Sequence, residues 1–265
     1  MEYKISDIAK LFNISKEMVR YYEKCGVIIP KRSVSNNYRV YTDADFFLLA
    51  EIIQLQQFGI NIKDSKLLMA DNFVERMVDS YESCAKNLDS EILQKKLFKL
   101  RCEELIEDIE MASLNIDSFW IKRVPERYDY FYQTAHGDEY GKPLLPDDMG
   151  EYTFNSIYSA FNDAIVYFYE NEEKWSFSVK KIYADALNLD ESHHQFVKSQ
   201  ICCCTIIDMG DFGEFSFEKC KPLLEYAKNK NYQITGRIYG VLRGRGMKNG
   251  RFCRQMELRL PIQKV

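Results

Sequence analysis

Apolar residues recur near the start of the chain at the three-to-four-residue period of two short amphipathic helices. The first set spans residues 5–12, with Ser6 placed to cap it, and the second helix runs from about Lys16 to Lys24. Between them, Asn13 tolerates the left-handed conformation of a tight turn, and Ser15 is a natural N-cap. Two short helices joined in this way predict a helix-turn-helix. The positions expected to face inward are Ile5, Ile8, Ala9, Leu11, Phe12, Met18, Val19 and Tyr22.

The next segment predicts a hairpin followed by a capped helix. Residues 27–30 and 38–41 flank a polar stretch whose turn is expected at residues 35–37. The Thr42–Asp45 segment has the spacing of a capping box, and it precedes an amphipathic helix that Gly59 would end. A hairpin beside a helix-turn-helix forms a wing, and the second helix of such a unit enters the major groove of DNA.

A long segment without proline or glycine follows, from about Met77 to Met111. Its apolar positions are separated by steps of four and three, which is the heptad spacing of a coiled coil. A helix of about 35 residues would be roughly 50 Å long at 1.5 Å per residue. Such an apolar stripe pairs either with a second copy of the chain or with its own C-terminal region. The stripe consists of Tyr81, Ala85, Leu88, Ile92, Leu93, Leu97, Leu100, Leu105, Ile106 and Ile109.

The remaining residues mix strand and helix patterns. Tyr128, Tyr130 and Tyr132 alternate along a predicted strand, and a second, buried strand is expected at residues 201–207. Two last strands would be joined by a turn at residues 244–250. This order predicts an antiparallel sheet with helices on one face. The other predicted elements are helices at 154–169 and 217–228 and the strands 234–243 and 252–262.

The chain carries 36 basic and 40 acidic side chains, which gives a net charge of −4. The total conceals an uneven distribution, since residues 1–42 hold eight basic and four acidic side chains. Residues 77–119 hold five against ten, residues 120–200 eight against fourteen, and residues 201–265 twelve against six. A basic first block before an acidic middle indicates a modular protein, although scatter of surface charge is the alternative.

Length and composition exclude several classes of protein. A chain of 265 residues corresponds to about two domains. The apolar run Phe46–Ala50 is far shorter than the ~20 residues of a membrane span, and no signal-peptide pattern is present. Eight cysteines without a regular framework fit free thiols in a reducing compartment. We therefore expect a globular protein of the cytoplasm, with no membrane partner.

Three separated motifs resemble the MerR family of transcriptional regulators. They are the runs Ile5–Leu11, Val19–Ile28 and Asn37–Thr42, and the step Phe58–Ile60 follows in the family's order and spacing. The resemblance covers residues 1–75 and implies a homodimer that binds double-stranded promoter DNA. The DNA contacts it implies are made by Ser15, Lys16, Arg20, Tyr21, Tyr38 and Arg39, whereas Tyr22 is expected in the core.

The same resemblance implies a mechanism of activation. In this family the dimer bends and untwists an overlong promoter spacer, so that RNA polymerase reads both promoter elements. Contacts with the phosphates would supply the energy for that deformation. The resemblance also favours pairing of the long helix with a second copy, in an antiparallel coiled coil.

The C-terminal half resembles the effector-binding domain of the multidrug-responsive MerR branch, which is similar to GyrI-like domains. The resemblance is carried by Glu257–Ile262 and by the strand-Gly-x-x-Gly-helix order before it. It implies that Glu257, buried on the last strand, binds a cationic aromatic effector. Alternatively, Glu257 pairs with Arg237, Arg254 or Arg259, which leaves a neutral or anionic effector open. The aromatic residues expected at this site are Tyr128, Tyr130, Tyr152, Tyr158, Tyr167, Trp175 and Tyr239.

Two rival functions come from other classes. A thiol or metal sensor would use Cys202–Cys204, but neighbours on a strand point to opposite faces, so only Cys202 and Cys204 could share a ligand. Buried small side chains are the interpretation we favour. A hydrolase would use Glu257 as its base. We expect no catalytic residues, no metal site and no cofactor.

The sequence thus predicts an α+β protein with three parts. Residues 1–75 form a winged helix-turn-helix domain, and residues 76–116 form a coiled-coil dimerisation helix. Residues 117–265 form an antiparallel-sheet, GyrI-like domain that binds a small-molecule effector.

Overall fold

The computed structural model describes most of the chain, and the chain divides into two compact units, Met1–Gln94 and Lys95–Val265. The boundary falls within a single long helix. The described residues are 2–33, 37–69, 72–137, 139–143, 157–169, 172–190 and 193–263.

The N-terminal unit contains the predicted helix-turn-helix and its wing. The wing hairpin gains a third strand from the start of the chain, which the sequence did not predict, and the antiparallel order is β1-β3-β2. The strands are β1 (Glu2–Tyr3), β2 (Lys31–Arg32) and β3 (Arg39–Thr42). The helices are α1 (Ile5–Leu11), α2 (Lys16–Lys24), α3 (Asp43–Gln57) and α4 (Ile62–Leu68).

Local signals fix the helix ends in this unit. Asn13 has a φ of 52°, as expected for the tight turn, and the Ser15 hydroxyl accepts the backbone N–H of Met18 at 3.1 Å. At the start of α3, the Thr42 hydroxyl accepts the Asp45 N–H at 3.3 Å, and the Asp45 carboxylate accepts the Thr42 N–H at 2.8 Å. The predicted cap and capping box are therefore confirmed.

Three details of the helix-turn-helix prediction are wrong. Helix α1 starts two residues earlier than a Ser6 cap would require, because the Asp7 carboxylate accepts the Lys4 backbone N–H at 2.8 Å. Leu11 and Met18 are 58% and 42% exposed rather than inward. Helices of seven and nine residues bury only a narrow stripe, which Ile8, Ala9, Val19 and Tyr22 fill.

The predicted long helix is present as α5, Phe73–Leu114, with 42 residues. At 1.5 Å per residue it is about 63 Å long. Its first half belongs to the N-terminal unit, where Tyr81 packs edge-on against Phe58 with ring centroids 5.4 Å apart. Its second half belongs to the C-terminal unit, where Leu97 is buried beside Phe161 and Tyr183.

The C-terminal unit is built on an antiparallel sheet, as predicted. Its main order is β4-β10-β13-β12-β7-β8-β5-β6, with β11 paired to β13 and β9 to β5. The strands are β4 (Trp120–Val124), β5 (Arg127–His136), β6 (Glu139–Pro143), β7 (Asn162–Phe168), β8 (Glu173–Lys180), β9 (Gln195–Val197), β10 (Gln200–Asp208), β11 (Gln233–Ile234), β12 (Tyr239–Lys248) and β13 (Arg251–Gln263). The helices are α6 (Lys181–Ala186) and α7 (Lys221–Asn229).

Three C-terminal elements differ from the prediction. The strand expected at 234–243 is divided, because β11 ends at Ile234 and β12 begins at Tyr239. The helix expected at 154–169 is wrong over 162–168, which form strand β7. Both faces of β7 are packed, so its apolar run lacks the alternation that would have shown a strand. The turn expected at 244–250 is shorter, because β12 continues to Lys248 and the chain reverses at Asn249-Gly250, both with positive φ.

The central strands divide the core between the two sides of the sheet. Cys203, Leu258 and Leu260 pack in one cluster with Leu223 and other residues. Cys202, Cys204, Tyr239 and Val241 form a second cluster. The alternating direction of side chains along a strand therefore separates the three consecutive cysteines.

Candidate DNA-binding surface and effector site

Helix α2, which is the second helix of the helix-turn-helix, and the wing enclose a concave surface in the N-terminal unit. This groove has a volume of about 700 Å³. Four of the six residues predicted to contact DNA line it: Lys16, Arg20, Tyr38 and Arg39. Arg20 keeps 55% of its side chain exposed and pairs with Glu17 at 3.4 Å, which is a weak surface contact. The groove is therefore lined by exposed cationic and phenolic side chains.

A partly buried cluster holds the wing against helix α2. The Arg39 Nε and a Glu23 carboxylate oxygen lie 3.0 Å apart, and the hydroxyl of fully buried Tyr41 donates to Glu23. Burial and the hydrogen bond to Glu23 raise the pKa of Tyr41. The cluster positions Arg39 at the edge of the groove.

The other two predicted DNA contacts have different settings. Ser15 uses its hydroxyl as the N-cap of α2, so its first role is to hold the helix. Tyr21 is 49% exposed on α2, next to the buried Tyr22. The Tyr22 hydroxyl donates to the Gln56 side chain at 2.6 Å, which confirms its expected place in the core.

Glu257 is buried, with 2% exposure, at the centre of a network of cations in the C-terminal unit. Its carboxylate lies 2.5 Å from Lys122 Nζ, 2.7 Å from Arg243 Nη2 and 2.9 Å from Arg259 Nε. Although burial opposes ionisation, Arg259 and then Arg243 hold the pKa of Glu257 well below its usual range. The sequence indicated Arg259 as one possible partner of Glu257, but it did not predict pairing of Glu257 with Lys122 or Arg243.

The network extends from the sheet to helix α5. Arg243 Nη1 lies 2.6 Å from an Asp108 oxygen and 3.8 Å from Asp163. Arg101 Nη2 donates to Asp163 at 2.7 Å. Two charged residues of α5 are thus bound to charged residues of the strands.

Two of the predicted aromatic residues, Tyr167 and Tyr239, lie on the same side of the sheet as Glu257. Their rings stack with centroids 5.3 Å apart, and Arg127 lies 4.7 Å from the Tyr239 centroid. The Tyr167 hydroxyl accepts Arg127 Nη2 at 2.7 Å and donates to Asp129. Both tyrosines also line a groove of about 240 Å³ with Tyr169 and Arg237.

The other predicted aromatic residues lie elsewhere. Trp175 is buried in the cluster that contains Leu258, on the side of the sheet opposite Glu257. Tyr128 packs with Phe161 and Tyr183, and Tyr130 lies 5.4 Å from the His194 ring. Tyr152 falls outside the described residues, and of Tyr158 only the backbone, in a short 3-10 turn, is described.

The remaining arginines proposed as partners of Glu257 are engaged elsewhere. Arg237 stacks on Tyr169 at 3.8 Å, and Arg254 donates to the backbone carbonyls of Gly210 and Asp211 at 3.0 and 2.6 Å. Lys122 and Arg243 become partners of Glu257 through strand register, because Val241 on β12 lies opposite Glu257. No local motif in the sequence marks either residue.

The cysteines are poor candidates for sensing. Cys202, Cys203 and Cys204 are fully buried, and burial raises the pKa of each, that of Cys203 to about 11. Their thiolates, the reactive and metal-binding form, are therefore disfavoured. Over the described ranges, no cluster of three or more His, Cys, Asp or Glu residues could hold a metal ion.

Glu257 is equally unsuited to be the base of a hydrolase. Its carboxylate is held ionised by three cations, and a base with a strongly lowered pKa has little tendency to take a proton.

Within the part of the chain that the structure describes, every helix is too short or too polar to cross a membrane.

Comparison with known proteins identifies the N-terminal domain. Residues 3–72 match the model of the MerR HTH family regulatory proteins. The matched segment is therefore similar to the helix-turn-helix domain of that family, as the sequence motifs predicted.

Two curated relatives extend the match into the long helix. The HTH-type transcriptional activator mta of Bacillus subtilis (strain 168) is 26% identical over 117 residues, which cover 44% of this chain and 42% of mta. The HTH-type transcriptional regulator YyaN of the same organism is 28% identical over 125 residues, covering 44% of this chain and 91% of YyaN. The match therefore spans less than half the length of mta, and both relatives are regulators rather than enzymes.

A solved structure matches over nearly the whole chain. EcmrR in a DNA complex, determined by cryo-electron microscopy, is aligned with 99% of this chain and 100% of its own at 16% identity and a TM-score of 0.36. That similarity is too low to support an inference about function.

Proposed function

We propose that this chain acts in the cytoplasm as a dimeric transcription regulator, controlled by a small molecule bound in its C-terminal unit. The MerR-type domain with its groove of Lys16, Arg20, Tyr38 and Arg39 carries the proposal. Cationic side chains release counterions from DNA phosphates, and the second helix of such a unit reads the major groove.

The exposed apolar face of α5 supports a homodimer. Leu88, Ile92, Ile106 and Ile109 are each about half exposed within this single chain. Such side chains gain free energy when a partner removes them from water, and two recognition helices require a two-fold operator. The partner proposed for this face is a second copy of α5, in an antiparallel coiled coil.

Helix α5 also offers a route from effector to DNA. It begins in the DNA-binding unit, and in the C-terminal unit Asp108 and Arg101 are paired with Arg243 and Asp163. An effector that altered these pairs would favour one position of the helix. The effector must bind the two states with different affinity, since equal affinity shifts nothing. Activation would then follow from bending and untwisting of the promoter for RNA polymerase.

The test is DNA binding measured against salt concentration, using a duplex that the protein selects from a randomised pool. We expect Arg20→Gln to weaken binding to all sequences and to reduce the salt slope by about 1, because one phosphate contact is lost. Lys228→Gln, which removes one exposed charge from α7, is the matched control and should change neither quantity. Equal salt slopes for Arg20→Gln and the wild type would refute the proposed contact.

A further inference from the structure

A cavity of about 120 Å³ lies beside Glu257, and cations dominate its lining. Only two acids line it, Asp108 and Asp163. The basic residues that line it are Lys122, Arg123, Arg127, Lys180, Arg243 and Arg259.

Nearby ion pairs do not balance this charge. Among the described residues, the acids that line the cavity or pair with its lining are Glu104, Asp108, Asp129, Asp163 and Glu257. Arg101 joins the six lining cations through its pairs with Glu104 and Asp163. Seven cations therefore face five acids, and because Arg123 is exposed to solvent, the buried excess is one positive charge.

Arg127 has a donor left over. Its Nε donates to Asp129 at 3.1 Å and its Nη2 to Tyr167 at 2.7 Å, whereas its Nη1 is buried and makes no hydrogen bond among the described residues. A guanidinium carries five N–H donors and no acceptor, and an unsatisfied buried donor is costly. An oxyanion is the ligand that supplies acceptors to such a group.

Lys122 shows the same excess of positive charge. Burial and the repulsion of Arg259 lower its pKa, and the attraction of Glu257 only partly opposes them. A bound anion would counter the repulsion. A bound cation would add to it, and Glu257 is already shared among Lys122, Arg243 and Arg259.

A second cavity adjoins the first and is more apolar. Its volume is about 230 Å³, and it shares Asp108 and Lys122 with the cationic cavity. Its lining combines the apolar residues Met111, Ala112, Trp120 and Ile206 with Lys122 and the acids Glu107, Asp108 and Glu257. Together the two cavities suit a ligand with an anionic head and an apolar body.

We infer that the effector is an amphiphilic oxyanion, with a carboxylate or phosphate at Lys122, Arg127 and Arg259 and an apolar group near Trp120. This inference rests on the proposed function of the C-terminal unit and names the charge of its effector. It differs from the cationic effector that the family resemblance implies.

The test compares four small aromatic probes that differ in charge, titrated into the full-length protein by calorimetry at constant ionic strength. Benzoate and phenyl phosphate are the anions, benzamide is the neutral probe and phenyltrimethylammonium is the cation. We expect one or both anions to bind about tenfold or more tightly than the other two, because hydrogen bonds between charged groups are stronger than those of neutral groups. The two anions also distinguish a carboxylate site from a phosphate site.

The variant Lys122→Gln tests the place of binding. It should weaken anion binding about tenfold or more, while Glu257 stays paired with Arg243 and Arg259. Lys228→Gln is the charge-matched control and should leave anion affinity unchanged. If Lys122→Gln fails to fold, as judged by circular dichroism, Arg123→Gln at an exposed lining position replaces it.

Three results would overturn the inference: tighter binding of the cation, an anion affinity that the variants do not change, or no anion binding at millimolar concentration.

DNA binding by the same preparations distinguishes failure of the inferred effector charge from failure of the proposed function. Retained DNA binding would show that only the assigned effector charge is wrong. A wild-type protein that does not bind DNA would instead refute the proposed function as a transcription regulator.

Discussion

At the scale of single residues, the burial of Glu257 is tolerable only because cations surround it. An ionised carboxylate removed from water is strongly disfavoured, and the three contacts within 3.0 Å offset that cost. The same contacts bind β13 to β4 and β12. Glu257 therefore orders the cations of the cavity even if it never touches a ligand.

Replacement of Glu257 should destabilise the C-terminal unit. In Glu257→Gln, Arg243 and Arg259 stay buried without their shared carboxylate, and we expect a loss of about 3–5 kcal/mol in the free energy of unfolding at pH 7. Urea unfolding followed by tryptophan fluorescence measures it, since Trp120 and Trp175, the only tryptophans, both belong to this unit. Exposed Glu225→Gln, the matched control, should stay within about 0.5 kcal/mol of the wild type.

The same substitution predicts a dependence on pH. The pKa of Glu257 is lower in the folded state than its ordinary value of 4.5, so its stabilisation is complete above that pH and decreases as the pH falls below it. The difference between wild type and Glu257→Gln should therefore narrow below about pH 4.5. A difference that stayed constant from pH 7 to pH 3 would mean that the carboxylate is not held ionised by its partners.

At the scale of elements, α5 divides its apolar residues between two tasks. Leu97 is buried in the chain's own core, although the heptad pattern includes it in the dimer seam. Leu88 and Ile92, nine and five residues earlier on the same helix, are about half exposed. The apolar stripe thus has a part buried within the chain and an exposed part, which we propose as the surface for a partner.

Substitution in the exposed part should separate the dimer. Leu88→Lys places a charge at each of two symmetry-related positions, and burial of one leucine contributes about 1.5–3 kcal/mol. We expect the dimer dissociation constant to rise about a hundredfold or more. Sedimentation equilibrium measures it, with Lys86→Glu at an exposed position as the control. A wild-type protein that is monomeric at micromolar concentration would contradict the proposed seam.

At the scale of the whole molecule, coupling depends on charged contacts between α5 and the sheet. Asp108 and Arg243, 2.6 Å apart, join the helix to the strand that also holds Glu257 through Arg243. When two sites are coupled, each ligand changes the binding free energy of the other ligand by the same amount. This pair is the contact through which we propose that the effector acts on DNA binding.

Removal of the Asp108 charge should therefore uncouple the sites without abolishing either. In Asp108→Asn, the ratio of DNA affinities with and without the bound anionic probe should approach one, while each ligand still binds. Anisotropy of a labelled duplex measures the ratio, and exposed Glu110→Gln on the same helix is the control. An unchanged ratio in Asp108→Asn would place the coupling elsewhere.

The sequence by itself determined the features that depend on neighbouring residues. The turn at Asn13, the Ser15 cap, the Thr42–Asp45 capping box and the long helix without Pro or Gly all follow from local chemistry. The prediction of a helix at 154–169 is wrong over β7, because a strand covered on both faces has the same apolar content as a buried helix.

Only the tertiary structure decided the charge around the proposed effector site. Lys122, Arg243 and Glu257 are distant in sequence and meet through the register of β4, β10, β13 and β12, which includes a shift between Leu242 and Gly244. A one-residue change of register would turn each side chain to the opposite face. Composition revealed an excess of basic residues in 201–265, but only strand pairing showed that two of them, Arg243 and Arg259, meet Lys122 around one carboxylate beside a cationic cavity.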